Sequence, residues 1–278
     1  MSPNEVNFDK QLKEKLVEMF KWFHCFCVDN NLRYFALGGT MLGAVRHKGF
    51  IPWDDDIDVG MPRKDYEKLA FLMQTKDCGI YTIETPDSKD EGFLYTFSKI
   101  YDTTTTLVEN TRVQLKRGVY IDVFPLDGLG STLQESKKRF EKIDFYFKLL
   151  LTRATGIRKG RSALKNLAVT FAGFIPDFFI NNKKIQKHID ELCKQKDYDE
   201  FAYGGNLLGA WRFKEIMRVD IMGEPTLYKF EDMQIYGAED YDGYLTHLYG
   251  DWRELPPANK RVSHHDYVYL DLNTSYLE

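Results

Sequence analysis

Hydrophobic positions near the start of the chain recur every three or four residues and form one stripe. The stripe predicts an amphipathic helix over residues 9–30, and its members are Leu12, Leu16, Met19, Phe20, Phe23 and Cys27. The next apolar run, Arg33–Leu37, predicts a short strand that leads into Gly38 and Gly39. Thr40 has the residue type that caps helix N-termini, so a second helix is predicted to start there.

Residues 54–59 read as a strand that has one apolar face, because Ile57 and Val59 alternate with acidic residues. A helix from Arg63 to Gln74 is predicted next, with the buried stripe Tyr66, Leu69, Ala70 and Met73. Three further strands are predicted at Gly79–Glu84, Phe93–Tyr101 and Thr103–Val108. The last two are expected to pair as a hairpin around Asp102.

Residues 118–125 predict a central strand on which Val119, Ile121 and Val123 share one face. Asp122 lies on the other face among large apolar residues, and a carboxylate there is costly to bury without a partner. Asp127, in a Leu-Asp-Gly sequence, is predicted to form a turn.

A helical region is predicted from Ser131, where a capping-box spacing begins, to about Gln195. Its apolar stretch Ala163–Ile180 is too interrupted to span a bilayer, and core packing is favoured over an interfacial membrane helix. The expected organisation is a catalytic core over residues 1–130, a basic helical elaboration over 131–200, and a C-terminal segment over 201–278 that completes the site. The fold class is α+β, a mixed sheet with flanking helices.

Charge and cysteine content change this picture in two ways. The 278 residues carry a net charge of −4, which gives no indication of a nucleic-acid partner. Residues 131–196, however, contain 15 Lys and Arg against 6 Asp and Glu. This surplus of positive charge indicates either a surface that binds an anionic polymer or membrane, or helix faces that are simply solvated. The four cysteines form no CxxC pair and no apolar leader is visible, so a cytoplasmic location is expected.

The most informative chemistry lies in the acidic run Asp54, Asp55, Asp56 and Asp58. On a strand, Asp56 and Asp58 face the same side about 6–7 Å apart, and two carboxylates so placed can share one or two metal ions. An acidic surface loop is the less favoured alternative. Asp122 is the natural third carboxylate, either as a ligand or as a base.

The residues around this run fit a phosphorylated ligand. Gly38 and Gly39 allow a close backbone approach, and the helix after them offers N–H groups to a phosphate. Candidate counter-charges are Arg46, His47, Lys99, Lys260, Arg261 and His264. For Lys99 the alternative is an apolar stem that carries its ammonium out to solvent. Trp53 could stack on a base, face a quaternary ammonium or anchor the core.

Three stretches together resemble the LicD family of phosphotransferases. They are Gly38 to Asp58, Asp122-Val123-Phe124-Pro125-Leu126-Asp127-Gly128, and Tyr249-Gly250-Asp251 with Leu255-Pro256-Pro257, Arg261 and His264. The resemblance implies a nucleotidyltransferase-like fold in which Asp56, Asp58 and Asp122 form the metal site. Thr40 stands where Ser is more usual, and it keeps the hydroxyl.

The resemblance also implies a reaction. Members of the family move a phospho-alcohol, typically phosphocholine from CDP-choline, onto a sugar hydroxyl of a cell-surface glycan such as teichoic acid or lipopolysaccharide. We therefore expect a Mg²⁺-dependent enzyme with a CDP-alcohol donor, a glycan acceptor, CMP as product and a possible peripheral contact with the membrane. Two alternatives are a nucleotidyltransferase that transfers NMP and a silent glycan- or lipid-binding module.

Overall fold

In the part of the chain that the structure describes, the predicted helices and strands are present with shifted boundaries. The computed structural model describes residues 3–111, 113–154, 170, 181–262 and 267–278. Its helices there are α1 (Pro3–Asp29), α2 (Gly38–Arg46), α3 (Arg63–Thr75), α4 (Leu133–Ala154), α5 (Asn182–Cys193), α6 (Val219–Met222) and α7 (Tyr241–Tyr249). Its 3-10 turns are Tyr198–Glu200, Arg212–Glu215 and Ala258–Lys260.

The strands in these ranges are mostly short. They are β1 (Phe35–Ala36), β2 (Asp58–Pro62), β3 (Tyr81–Glu84), β4 (Ser98–Asp102), β5 (Thr106–Glu109), β6 (Lys116–Arg117), β7 (Tyr120–Gly130), β8 (Tyr203–Gly205), β9 (Ile216–Arg218), β10 (Thr226–Phe230), β11 (Met233–Gly237) and β12 (Tyr267–Asp271). The predicted segment Ala163–Ile180 lies, apart from Thr170, outside the described residues.

The main sheet is mixed and is organised around β7. Its principal order is β1-β2-β7-β4-β3, in which β2 and β7 run parallel and the other neighbours run antiparallel. The far end of β7 pairs with β8, which in turn pairs with β9. Two smaller sheets, β10-β11 and β12-β5-β6, flank it. This architecture confirms the predicted α+β class.

Helix α1 buries the apolar stripe that its sequence predicts. All six predicted stripe residues are at most 4% exposed, and they belong to the largest hydrophobic cluster, together with β1, β2 and β7. Phe20 and Phe23 pack against Tyr34, with ring centroids 6.1 and 5.0 Å away. The helix therefore forms because one apolar face covers the sheet while Lys10, Glu14 and Glu18 are exposed on the other face.

The hairpin expected around Asp102 is wrong. Strand β4 pairs with β3 and β7, whereas β5 pairs with β6 and with the C-terminal strand β12. Asp102 accepts hydrogen bonds from the backbone N–H and the hydroxyl of Thr104. This local turn directs the chain into a separate sheet, and a partner from the far end of the sequence pairs with β5.

The turn predicted at Asp127 is also wrong, because β7 continues for eleven residues to Gly130. Asp127 is fully buried and accepts two hydrogen bonds from Arg63, at 2.8 Å from Nε and 2.6 Å from Nη2. Arg63 also donates to Asp190 at 2.8 Å. The ion pair satisfies the buried carboxylate and ties α3 and α5 to the back of β7.

The basic helices have a hydrophobic cluster of their own. Apolar residues of α4 and α5 pack with Leu129, Leu207 and Ile216, while Lys137, Lys138 and other lysines of these helices are exposed. Within the described residues, no helix is both long enough and apolar enough to cross a bilayer. The predicted division into three segments stays a prediction.

Candidate active site

Three strands place Asp58, Asp122 and Lys99 in one row. The parallel pairing of β2 with β7 sets Asp58 opposite Asp122, and the antiparallel pairing of β4 with β7 sets Lys99 opposite Asp122. Residues directly opposite each other on neighbouring strands project from the same face of a sheet. The structure therefore brings the distant Asp122 beside Asp58, sixty-four residues earlier in the chain.

The acidic run concentrates negative charge at this row. Asp56 precedes β2 rather than lying on it, so the predicted strand begins later than expected. Burial raises the pKa of Asp58 well above its ordinary value, and the charges of Asp56, Asp122 and Asp54 raise it further. Asp55 is buried, and it precedes β2 as Asp56 does. The carboxylates are thus near enough to repel one another.

Asp56 and Asp58 could bind a cation whose other ligands come from a phosphorylated substrate and water. Among the described residues, no three His, Cys, Asp or Glu side chains come close enough to form a complete metal cage. Mg²⁺ is typically bound by one or two carboxylates, with phosphate oxygens and water as the other ligands. The partly exposed Asp56 and Asp58 suit that incomplete ligand set, and the repulsion at Asp58 is what a bound cation would relieve.

Lys99 does not carry its ammonium to solvent, so that alternative is wrong. The residue is 1% exposed, and its Nζ lies 2.8 Å from Oδ1 of Asp122, an ion pair whose angles fall outside those of a good hydrogen bond. The same Nζ lies 3.9 Å from Glu109 and 3.3 Å from the centroid of the Tyr120 ring. Burial raises the pKa of Asp122, and Lys99 opposes that rise.

The start of α2 lies against the acidic run. Gly38 has a positive φ of 48°, and a Cβ at Gly39 would lie 2.5 Å from a carboxylate oxygen of Asp54. Thr40 is not the N-cap, because α2 begins two residues before it. Its hydroxyl instead accepts a hydrogen bond from the backbone N–H of Asp58 at 2.9 Å. Thr40 therefore fixes the position of Asp58 at the start of β2.

The predicted counter-charges divide into separate groups. Arg46 donates to the backbone carbonyl of Trp252 at 2.7 Å, so its guanidinium holds the C-terminal loop. Its Nε donates to His47 at 2.9 Å. The Arg261 guanidinium lies 5.7 Å from the ring of Trp53, which is half-buried, and Lys260 is exposed nearby in sequence. His264 lies outside the described residues.

Three residues of the C-terminal segment join the site although no site role was predicted for them, and of these only Tyr249 lies in a stretch that carries the family resemblance. The Tyr244 hydroxyl accepts a hydrogen bond from the backbone N–H of Gly38 at 2.9 Å. The Tyr249 hydroxyl lies 3.7 Å from where a Cβ on Gly38 would be. Burial raises the pKa of Glu215 to about 7, although it accepts a hydrogen bond from Trp211. The aromatic richness of this segment was the available signal, but no spacing connects it to Gly38.

Glu109 was also not predicted as a site residue, and its carboxylate lies 3.9 Å from the Lys99 ammonium. Its carboxylate accepts hydrogen bonds from the hydroxyls of Tyr95 and Tyr120 and faces the lysine ammonium. Glu109 is the last residue of β5, and periodicity does not reveal that β5 pairs with β6 and with the C-terminal strand β12.

Comparison with known proteins agrees with this geometry. Residues 31–150 match the family model described as "LicD/FKTN/FKRP, nucleotidyltransferase domain". The lipopolysaccharide cholinephosphotransferase LicD of Haemophilus influenzae is 27% identical over 253 residues, which cover 90% of this chain and 92% of that protein.

Shorter stretches match two uncharacterized rickettsial proteins. The protein from Rickettsia prowazekii is 46% identical over 69 residues, or 24% of this chain and 26% of that protein. The protein from Rickettsia typhi is 46% identical over 86 residues, or 31% of this chain and 24% of that protein. The chain thus spans about a quarter of these two proteins. The matched domain covers β2, β4 and β7, and therefore Asp58, Lys99 and Asp122. Residues 31–150 therefore form a domain of the LicD family, and the chain that carries this domain is an enzyme of the phosphotransferase class.

Proposed function

We propose that this enzyme transfers phosphocholine from CDP-choline onto a sugar hydroxyl of a cell-surface glycan and releases CMP. The observation that carries the proposal is the row of Asp58, Asp122 and Lys99, beside Asp56 and the start of α2. The similarity along 90% of the chain to a lipopolysaccharide cholinephosphotransferase supports the choice of donor and acceptor.

In the proposed reaction the sugar hydroxyl attacks the phosphorus that carries choline. The bond from that phosphorus to the bridging oxygen breaks, and CMP leaves with the bridging oxygen. Asp56 and Asp58 would hold Mg²⁺, which when bound would neutralise negative charge on the diphosphate. Asp122 would either add a ligand or accept the proton of the sugar hydroxyl.

The remaining predicted residues would bind the donor. Gly38, Gly39 and Thr40 form the start of α2. The N–H of Gly38 donates to Tyr244, so a donor phosphate would meet the N–H groups of Gly39 and Thr40. Trp53 offers a half-buried ring to the cytosine or to the choline ammonium. Arg261, which follows α7, provides positive charge near Trp53. Lys260 directly precedes it and would add a second positive charge to the same segment. His264 stays a prediction from the sequence.

The test is a donor panel. The purified enzyme is incubated with Mg²⁺, lipopolysaccharide or teichoic acid, and one of CDP-choline, CDP-ethanolamine or CDP-ribitol, and CMP is measured by chromatography. We expect CMP release with CDP-choline and transfer of labelled choline to the glycan. Release of CMP only with one of the other donors would show that the transferred alcohol is not choline. No release of CMP from any donor would reject the proposal.

A second candidate is the transfer of NMP to a small molecule or protein. The description of the matched domain as a nucleotidyltransferase favours it. The two reactions differ in their products, because NMP transfer from a nucleoside triphosphate releases pyrophosphate. Detection of pyrophosphate and of a nucleotidylated acceptor, without CMP, would establish the second reaction.

The place of the reaction is also a proposal. We propose that the enzyme works in the cytoplasm, at the inner face of the membrane. Exposed lysines of α4, which include Lys137, Lys138 and Lys142, support a peripheral contact with anionic lipid.

A further inference from the structure

Lys99 lies on the side of Asp122 that faces away from Asp58. Strand β7 runs between β2 and β4, so the register places Asp58 on one flank of Asp122 and Lys99 on the other. Neighbouring strands lie about 4.8 Å apart. The carboxylate of Asp122 thus separates the acidic residues of the run from one buried ammonium.

The ammonium of Lys99 is held from several directions. Asp122 and Glu109 face it at 2.8 and 3.9 Å. The rings of Tyr120 and Tyr95 approach it with centroids at 3.3 and 4.5 Å, where a cation is attracted to the ring face. Glu109 is itself positioned by hydroxyl donors from the same two tyrosines. A side chain so enclosed acts as a fixed charge and not as a mobile arm.

Sites with two metal ions place the ions about 3.5–4 Å apart and use carboxylates near both. Here one flank of Asp122 faces the Lys99 ammonium, whereas the other flank faces Asp58, which ends the acidic run. We propose that Lys99 serves as a built-in second cation, so that the active site binds one divalent ion, on the Asp56 and Asp58 side of Asp122. The inference rests on the proposed metal-dependent function and specifies its stoichiometry.

The chain offers a conservative variant and a matched control. Lys99→Arg keeps the charge, and Lys99→Met removes it while retaining most of the side-chain volume. Lys183 is the control, because its ammonium also lies by an aromatic ring, 6.0 Å from the centroid of Phe93, but donates to backbone carbonyls away from the row. Circular dichroism and thermal melting establish that each variant is folded.

Bound Mn²⁺ is counted by electron paramagnetic resonance of the free ion, with and without CDP-choline, against nucleotide-only blanks. We expect one ion per chain for the natural protein, Lys99→Arg and Lys183→Met, and two for Lys99→Met. The count does not depend on turnover.

Two ions bound by the natural protein would overturn the inference, and that measurement needs no variant to fold. One ion bound by a folded Lys99→Met would also overturn it, since Lys99 would then not be what excludes the second ion. No Mn²⁺ bound by the natural protein would instead reject the metal-dependent function itself. The two failures are therefore distinguishable.

Discussion

At the scale of single residues, the carboxylates of this protein differ in whether they face a cation or other carboxylates. Asp122 and Asp127 each face a buried cation, Lys99 and Arg63 respectively. Asp58 is surrounded by other carboxylates, and they raise its pKa together with burial. A carboxylate held among other carboxylates lowers stability, so the presence of Asp58 is better explained by ligand binding than by folding.

Asp58→Asn should separate activity from stability. We expect CMP release to fall at least about a hundredfold, because a site of this kind contributes several kcal/mol to stabilising the transition state. The melting temperature should hold or rise, since the substitution removes charge repulsion. The exposed Asp87→Asn is the control and should retain activity. A folded Asp58→Asn enzyme with unchanged CMP release would contradict this role.

Glu215 predicts a pH dependence of stability. Its pKa is raised to about 7 in the folded protein from an ordinary 4.5, so its ionised form is disfavoured by folding. Below pH 4.5 the carboxyl is protonated in both states and has no effect. As the pH rises from 4.5 to 7, the unfolded chain loses this proton before the folded protein does, so the protein is destabilised by up to about 3 kcal/mol.

Urea unfolding of Glu215→Gln at pH 4.5 and pH 8 measures this contribution. The variant should match the natural protein at the lower pH and exceed its stability at the higher pH. Glu200→Gln, at an exposed residue, should show no such divergence. An equal difference at both pH values would refute the assignment to ionisation.

At the scale of elements, the joint between α2 and β2 positions the acidic run. The backbone of Asp58 is held at both ends, since its N–H donates to Thr40 and its carbonyl accepts from Leu37. The sequence predicted both elements and the importance of Thr40. It assigned the hydroxyl to a helix cap because local spacing cannot reveal a bond to a strand eighteen residues away.

Thr40→Val should therefore weaken both structure and function. The buried N–H of Asp58 would lose its acceptor, at a cost of about 1–3 kcal/mol in the free energy of unfolding. CMP release should fall as Asp58 loses its position. Thr40→Ser keeps the hydroxyl and is the matched control. Equal stability and activity of the two variants would show that the hydrogen bond is unimportant.

The ion pair between Arg63 and Asp127 leads to a prediction about the free energy of unfolding. Asp127→Asn should lower the free energy of unfolding by about 3 kcal/mol or more, because Arg63 keeps its buried charge with only Asp190 to neutralise it. The double variant Asp127→Leu with Arg63→Met removes both charges and should recover much of the loss. Urea unfolding measures each effect, and strict additivity of the two substitutions would contradict a coupled pair.

At the scale of the whole molecule, segments near the C-terminus contact the site and the strands beside it. Local patterns predicted the stripes of α1 and α3 and the acidic run well, since each depends on nearby residues. They did not predict the contacts of Tyr244 with Gly38 or of Glu109 with Lys99, which depend on long-range pairing. The failed hairpin at Asp102 has the same cause, because β5 pairs with β12.

The uneven charge also belongs to this scale. Residues 131–196 carry a local charge of +9 and the remainder −13. We expect the protein to sediment with anionic phosphatidylglycerol vesicles at low salt and not near 0.5 M NaCl, because the Debye screening length is then only a few ångströms. Zwitterionic phosphatidylcholine vesicles are the control. Failure to sediment with anionic vesicles at low salt would argue against a peripheral membrane contact.

The length of β7 has a consequence for how the protein can evolve. Asp122 and Asp127 are five positions apart on one strand, so they project from opposite faces, one toward the chemistry and one toward the anchoring helices. Loss of a single codon between them would move Asp127 to the catalytic face and leave Arg63 without its partner. Insertions and deletions in the gene should therefore accumulate in the connections on either side of β7 and be purged from the strand itself.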